Sequence, residues 1–164
     1  MRRKEREVSD LQEILEFIDS CDVLRIGMID ENGIYIVPVS YGFKYDGGLT
    51  FYIHGAKEGR KASIIKNCPS VGFELDGSNS LMGQSDVACT YSSYYKSVIG
   101  NGSIRFIEDI REKKEAFALL MKHCTGEDRD WKFNESVLER TSVMELKVST
   151  FSCKKHEQMK TSQH

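Results

Sequence analysis

The sequence predicts a mainly β protein, in which an antiparallel sheet closes or nearly closes into a β-barrel and helices lie at its periphery. Three observations lead to this fold class. Apolar residues recur at every second position through the middle of the chain, short glycine-containing turns separate these segments, and helical spacing is confined to the flanks. The regular alternation of strands and helices that a doubly wound parallel sheet requires is absent.

Two amphipathic helices are predicted, one on each side of the sheet region. Ser9 followed by Gln12 forms a capping-box pattern, and the apolar residues that follow at helical spacing predict a helix over residues 10–20. Asp109 provides a similar start signal, and the apolar spacing after it predicts a second helix over residues 110–123. Each helix has one apolar side, so both are expected to flank the barrel.

Strand candidates fill the chain between and after these helices. Asn32-Gly33 and Asp46-Gly47-Gly48 are turn sequences, because glycine adopts positive φ at low cost. Pro38 donates no ladder hydrogen bond and therefore indicates an edge strand or a bulge. The predicted strands cover residues 23–29, 34–45, 49–54, 71–76, 87–94, 95–107 and a last segment around 144–148.

Length and composition indicate one globular domain. The chain has 164 residues, of which 40% are hydrophobic and 29% are charged, and its net charge is −2. We therefore expect a single domain over residues 1–153 and a polar tail over residues 154–164. This charge recruits neither nucleic acid nor an anionic membrane, and no apolar run is long enough to span a bilayer.

The five cysteines do not form the pattern of a secreted disulfide framework, since their number is odd and no Cys-x-x-Cys pair occurs. Reduced thiols in a cytoplasmic protein are the simpler interpretation. His123-Cys124 and Cys153-x-x-His156 lack a true ligand pair on either side, so no metal site is expected.

The segment from His54 to Lys61 contains the most informative pattern for chemistry. A strand ends near His54, a loop with Gly55 follows, and a short helix is predicted to begin at Arg60-Lys61. A helix N-terminus offers free N–H groups and a partial positive charge, and two basic side chains beside it favour a phosphate site. The spacing is equally consistent with solvated basic residues, and His54 alone is as compatible with a structural role as with a catalytic one.

This loop does not match the P-loop of nucleoside triphosphatases. Three residues instead of four separate Gly55 from Gly59, Arg60 precedes the lysine, and Ala62 stands where a magnesium-binding hydroxyl is required. These three departures argue against ATP binding.

Several short motifs follow one another along residues 1–125. They are Met1-Arg2-Arg3-Lys4-Glu5-Arg6-Glu7, Val37-Pro38-Val39-Ser40-Tyr41-Gly42-Phe43, Phe51-x-x-His54-x-Ala56-x-x-Gly59-Arg60-Lys61, Asn67-Cys68-Pro69-x-Val71, Ala88-Cys89-Thr90 and Tyr95-Lys96-Ser97-Val98-Ile99-Gly100-x-Gly102. Each motif is modest alone, but their collinear order is specific. On these motifs the chain resembles the pyridoxamine 5′-phosphate oxidase-like flavoproteins, and within them the nitroimidazole-resistance branch.

The resemblance implies an FMN-binding split β-barrel and a homodimer with a flavin at each end of the subunit interface. It also implies which residues meet the cofactor. By this resemblance, the backbone of Val39 and Ser40 would line the ring edge, and His54, Gly55 and Ala56 would flank the ring and the ribityl chain. Arg60 and Lys61 would hold the phosphate. Ser97 and Val98 would lie where the next strand meets the flavin.

One departure bears on the substrate. The early strand Tyr35–Ser40 carries no basic residue, and the segment Phe151–Lys155 lacks the arginine and histidine residues with which the oxidase proper holds pyridoxal phosphate. Vitamin B6 oxidation is therefore not expected.

The function that the resemblance implies is an FMN-dependent reductase of small aromatic or nitro-bearing compounds. His54 is the candidate catalytic residue, placed to donate a hydrogen bond or a proton, and NADH or NADPH is the expected electron donor. An alternative is a flavin- or haem-binding carrier or redox sensor without turnover, because the fold alone does not decide function. A third possibility is a dimer whose flavin site has decayed, against which the intact Gly59-Arg60-Lys61 motif argues.

Overall fold

The computed structural model of the protein describes residues 3–83 and 86–157, which form one sheet with helices packed on it. The strands are β1 (Glu7–Val8), β2 (Leu24–Asp30), β3 (Gly33–Val39), β4 (Tyr41–Tyr45), β5 (Leu49–Gly55), β6 (Ser70–Met82), β7 (Ser92–Ile107) and β8 (Ser142–His156). The helices are α1 (Leu11–Ser20), α2 (Arg60–Asn67), α3 (Ile110–Thr125) and α4 (Glu135–Arg140), with 3₁₀ turns at Lys4–Arg6 and Ala88–Thr90.

The sheet is antiparallel throughout and curls into a nearly closed barrel. Its strand order is β3-β2-β6-β7-β8-β5-β4, with β1 added beside β8. Only Ser40 separates β3 from β4 in the sequence, although these two strands stand at opposite ends of the strand order. The two ends of the sheet must therefore lie side by side. This arrangement confirms the predicted fold class, an antiparallel β-barrel with peripheral helices.

Alternating side chains fill the barrel and cover its outer wall. Phe51 and Ile53 of β5 are fully buried in the interior cluster together with residues of β2, β6 and β8. Tyr52 points to the other side of the same strand and packs with Val143 and Ala116 in a second cluster beneath α3. The barrel therefore has an internal core, and α3 shields one part of its outer surface.

Two close contacts fix helices against the sheet. The Tyr41 hydroxyl is within hydrogen-bonding distance of the Cys21 carbonyl, at 2.8 Å, and of the Ile18 carbonyl, which ties the end of α1 to β4. Gly42 lies beneath α3, and a Cβ at this position would come within 2.3 Å of the Leu120 backbone nitrogen. A side chain at Gly42 would therefore push α3 away from β4.

The start of α1 and the strand over 34–45 differ from the sequence expectations. Asp10, not Ser9, caps α1, because its carboxylate accepts hydrogen bonds from the N–H groups of Gln12 and Glu13 at 2.9 and 3.3 Å. The single strand predicted over 34–45 is divided at Ser40, since β3 pairs with β2 whereas β4 pairs with β5. The edge position expected from Pro38 is confirmed, because β3 ends the strand order.

The segment predicted as a strand over 87–94 also differs. Ala88–Thr90 forms a 3₁₀ turn, and β7 begins only at Ser92. The Thr90 hydroxyl donates a 2.7 Å hydrogen bond to the Val87 carbonyl, so a local side-chain bond replaces the ladder here.

The last strand is longer than expected and α4 was not predicted. β8 continues to His156, because Lys154 pairs with β7 and β1 and the Lys155 ammonium lies 2.7 Å from Glu13 Oε1. Residues 154–156 of the expected tail thus belong to the sheet, while 158–164 lie outside the described residues. α4 is short and starts at Asn134, whose side chain accepts from the Val137 N–H. No helix of the described residues has the length and apolarity needed to cross a membrane.

Candidate functional site

One end of the barrel brings together most of the predicted site residues. His54 and Gly55 are the last residues of β5, and α2 begins five positions later at Arg60. The β4–β5 register pairs Tyr41 with Ile53, so Ser40 lies beside the His54 end of β5, with Val39 next to it. The structure therefore places Val39, Ser40, the His54–Gly55 end of β5 and the start of α2 close together.

Lys61 is an unpaired cation at the centre of this region. Its Nζ lies 2.9 Å from the position that a Cβ on Gly55 would occupy, so the missing side chain of Gly55 makes room for the ammonium. Within residues 3–83 and 86–157, Lys61 takes part in no ion pair with a carboxylate. Burial lowers the pKa of Lys61, which means that the folded chain disfavours its charged form.

Arg60, unlike Lys61, forms an ion pair with a carboxylate. Its Nε and Nη2 each lie 2.9 Å from an oxygen of Asp30, which forms a bidentate ion pair, and its guanidinium stacks 4.6 Å from the centroid of the Tyr35 ring. The hydrogen bond with Asp30 raises the pKa of Arg60, and the same bond lowers the pKa of Asp30. The positive charge of Arg60 is therefore offset locally, whereas that of Lys61 is not.

The backbone at the start of α2 offers further donors. Gly59 precedes the helix with φ of 105°, a conformation that side-chain-bearing residues rarely adopt. The first hydrogen bond of the helix runs from the Ser63 N–H to the Gly59 carbonyl, so the N–H groups of the preceding turn have no intrahelical acceptor. These donors point out of the N-terminus, where an anion is favoured.

His54 lies at the edge of this region, with its ring on the surface and protein beneath it. Its ring centroid is 5.7 Å from that of Phe117 on α3, and Phe117 in turn lies 6.4 Å from Phe133. Burial of one side and the nearby charge of Lys61 lower the pKa of His54. The imidazole is therefore neutral at pH 7 and keeps one N–H donor.

Ser97 and Val98 do not join the other predicted residues within one chain. Val98 is fully buried in the interior cluster, and it pairs with Cys153. The end of β7 that approaches His54 is Ile107, which faces Val143, the partner of His54. A strand rises about 3.4 Å per residue, so about 30 Å of β7 separates Val98 from Ile107.

Three side chains at this site were not singled out from the sequence. Asp30 precedes the Asn32-Gly33 turn, Tyr35 lies in the strand predicted over 34–45, and Phe117 lies in the helix predicted over 110–123. Each assignment describes local structure, but the pairing with Arg60 or His54 depends on contacts between distant segments. Within the described part of the chain, no group of three or more histidine, cysteine or acidic residues is placed to hold a metal ion, and the cysteines are free.

Comparisons with known proteins agree with this architecture. No curated protein matches the sequence significantly. A candidate 5-nitroimidazole antibiotic resistance protein from Bacteroides thetaiotaomicron is 26% identical, with a TM-score of 0.78 over 90% of this chain and 85% of its own. A flavocytochrome from Azotobacter vinelandii is 18% identical, with a TM-score of 0.77 over 96% of this chain and 72% of its own.

A third solved structure, an FAD- and haem-binding protein from Mycobacterium smegmatis, is 14% identical, with a TM-score of 0.76 over 93% of this chain and 74% of its own. The last two likenesses concern the fold alone. The sequence profile of the pyridoxamine 5′-phosphate oxidase family matches residues 10–155, which is most of the chain. This protein therefore belongs to the pyridoxamine 5′-phosphate oxidase family.

Proposed function

We propose that the protein binds FMN and acts as a flavin-dependent reductase of small aromatic or nitro compounds. The observation that carries this proposal is the unpaired, half-buried ammonium of Lys61 beside Gly55, at a helix N-terminus with free N–H donors. The likeness to a candidate nitroimidazole resistance protein supports this substrate class, and the likeness to an FAD- and haem-binding protein supports a flavin cofactor.

The residues at the start of α2 fit the phosphate group of FMN. Lys61 supplies an uncompensated positive charge, and the first turn of α2 supplies N–H donors. Arg60 adds the guanidinium edge that Asp30 does not occupy, held in place by the Tyr35 ring. A phosphate there would pair the half-buried ammonium of Lys61, whose charge otherwise costs stability.

The remaining residues would hold the ring and the substrate. FMN, when bound, supplies the hydride chemistry, while the protein provides binding, orientation and exclusion of water. The backbone of Val39 and Ser40 would face the ring edge, with Gly55 and Ala56 along the ribityl chain. His54, whose lowered pKa favours the neutral ring, would donate a hydrogen bond through its N–H to the substrate, with NADH or NADPH as electron donor.

A homodimer with FMN at the subunit interface would complete the site. Ser97 and Val98 lie too far along β7 to reach His54 in the same chain. A second copy would have to supply this strand through Ser97, because Val98 is fully buried inside its own barrel. The outer face of the sheet also exposes isoleucines at Ile34 and Ile36. Exposed apolar side chains on one sheet face favour contact with another protein surface.

The first test is the visible spectrum of the purified protein, followed by turnover of the His54→Ala variant. We expect flavin bands, release of FMN on denaturation and oxidation of NADH or NADPH with a nitroaromatic acceptor. His54→Ala is expected to retain FMN and to lose at least tenfold in turnover.

Other outcomes would redirect the assignment. Unchanged turnover in His54→Ala would remove this residue from the mechanism. Tight flavin without acceptor chemistry would favour a carrier or redox sensor, and a Soret band would favour haem. A colourless protein that takes up no added FMN would refute the cofactor proposal.

A further inference from the structure

Among the residues that the structure describes, two lysines are buried, and they differ in whether a carboxylate pairs with the ammonium group. Lys96 is 8% exposed and Lys113 is 5% exposed. The Lys96 ammonium lies 2.8 Å from a carboxylate oxygen of Glu13. The Lys113 ammonium has one hydrogen bond, to the Thr141 carbonyl at 3.4 Å, near the upper limit for such a bond.

Lys113 therefore has no counter-charge within the part of the chain that the structure describes. Across residues 3–83 and 86–157, the lysines that form ion pairs are Lys96, Lys114, Lys122 and Lys155. An ammonium has three N–H donors, and a single long bond to a neutral carbonyl satisfies one of them. A buried charge is costly unless it is paired, so a bound anion would stabilise the buried ammonium of Lys113.

Lys113 lines a small cavity in which further cationic groups converge. The cavity has a volume of about 160 Å³ and lies between the β5–α2 loop, α2, α3 and the start of β8. Lys57 and Lys66 line it as well, together with the buried Ser142, while the single carboxylate in the lining is that of the exposed Glu108. Three lysines, of which Lys57 and Lys66 are exposed as Glu108 is, thus outweigh one glutamate among the residues lining a space large enough for a small anion.

We infer that this cavity is a binding site for a phosphate group, distinct from the proposed flavin-phosphate site at Lys61. Lysine ammoniums bind phosphate as point charges, and the hydroxyl of Ser142 provides a hydrogen-bond donor. A divalent anion suits a cavity with three lysines better than a monovalent carboxylate does, because each negative charge gains a partner. Either inorganic phosphate or the phosphate group of a small molecule fits this chemistry.

The position of the cavity links it to the proposed active end of the barrel. Ser142 is the register partner of Gly55, and the next pair along these strands is Val143 with His54. Lys113 and Phe117 are four residues apart on α3 and therefore share a face, and the Phe117 ring contacts His54. A phosphate group held by Lys113 would place the rest of a small molecule close to His54.

The test measures phosphate binding in the Lys61→Met variant, which removes the proposed flavin-phosphate cation and leaves this cavity intact. Inorganic phosphate is titrated by ³¹P NMR at constant ionic strength, with chloride as the reference salt. We expect a dissociation constant in the millimolar range. Adding Lys113→Met is expected to weaken phosphate binding at least tenfold. Lys114→Met removes a neighbouring lysine that is already paired with Glu135 and should change phosphate binding less than twofold. Phenyl phosphate distinguishes the two sources of ligand, since tighter binding than inorganic phosphate would identify an organic phosphate.

Several outcomes would overturn the inference. One is that phosphate causes no change beyond that caused by chloride. Another is that phosphate binds equally well to the Lys61→Met variant and to the variant that also carries Lys113→Met. A third is a loss of FMN affinity above tenfold in Lys113→Met on its own, which would make the cavity part of the flavin site. The phosphate titration does not depend on flavin binding, so the flavin proposal and this one fail separately.

Discussion

At the scale of single residues, the basic side chains of the site differ in whether the fold gives them a carboxylate partner. Arg60 has Asp30 as a bidentate partner, whereas Lys61 is half-buried beside Gly55 without a carboxylate. Groups that are strained or uncompensated in the free protein are often those that a ligand later engages. The two basic residues are therefore expected to contribute unequally to the proposed binding of FMN.

Lys61→Met is expected to weaken FMN binding and to stabilise the flavin-free protein. The lowered pKa of Lys61 means that the charged form is less favourable in the folded than in the unfolded chain, so the charge costs stability at neutral pH. That cost disappears as the pH rises through the range in which lysine loses its proton. We expect an increase in Tm on the order of 1–3 °C at pH 7.

Arg60→Met provides the comparison for this prediction. Because Asp30 offsets the charge of Arg60, this variant should weaken FMN binding less than Lys61→Met and should lower the Tm rather than raise it. FMN affinity by fluorescence quenching and thermal unfolding of the flavin-free proteins give both readouts. An equal loss of FMN affinity in the two variants would contradict the unequal roles.

At the scale of elements, the contact between α3 and β4 decides whether the outer wall of the barrel is covered. Asp109 caps the start of α3, as the sequence predicts, and Gly126 follows the last residue of α3 in the left-handed conformation. Its side chains reach His54 through Phe117 and the second apolar cluster through Ala116. The position of α3 therefore sets the surroundings of the proposed catalytic residue.

Gly42→Ala is expected to destabilise the protein by about 1–3 kcal/mol, in the range of overpacking substitutions. The new Cβ would lie 2.3 Å from the Leu120 nitrogen and 2.4 Å from the Leu119 carbonyl carbon, and backbone atoms of a helix yield less readily than a flexible side chain. Gly48→Ala is the matched control, because nothing lies within 4 Å of the position of its Cβ. Urea unfolding measures both, and equal stability of the two variants would show that α3 shifts at no cost.

At the scale of the whole molecule, the barrel separates the predicted cofactor residues into two groups. One group lies at the end formed by β5 and α2, and the other, Ser97 with Val98, lies far along β7. The outer face of β2, β3 and β6 shows an apolar surface: Ile34 is 75% exposed and Ile36 is 63% exposed. Beside them, Gly27 and Gly72 are paired across β2 and β6, so no side chain rises above the sheet there.

Ile36→Asp is expected to convert the proposed dimer into a monomer and to weaken FMN binding at least tenfold. A carboxylate on a face buried between subunits would be desolvated without a partner. Val137→Asp serves as the control, because Val137 is 50% exposed on α4, away from this face. Light scattering after gel filtration reports the mass of each variant, and a monomeric wild-type protein that binds FMN tightly would rule out the shared site.

The sequence by itself determined the fold class, the positions of α1, α2 and α3 and most strands, because these depend on local apolar periodicity and on turn and capping residues. The predictions that were wrong rested on local sequence patterns, whereas the observed structure at those places depends on tertiary contacts. Residues 34–45 are predicted as one strand, yet the chain leaves β2 and joins β5 at Ser40, since only the closed barrel brings both ends of the sheet together.

The pattern around His54, Arg60 and Lys61 was likewise visible in the sequence, but the state of each charge was not. Asp30 reaches Arg60 across 30 positions of the chain, and Lys113 is buried without a carboxylate although it reads as an ordinary surface residue of a helix. Local periodicity specifies which residues lie on which face. Which charges gain a partner depends on distances between segments far apart in sequence, and those distances are defined only once the barrel has closed.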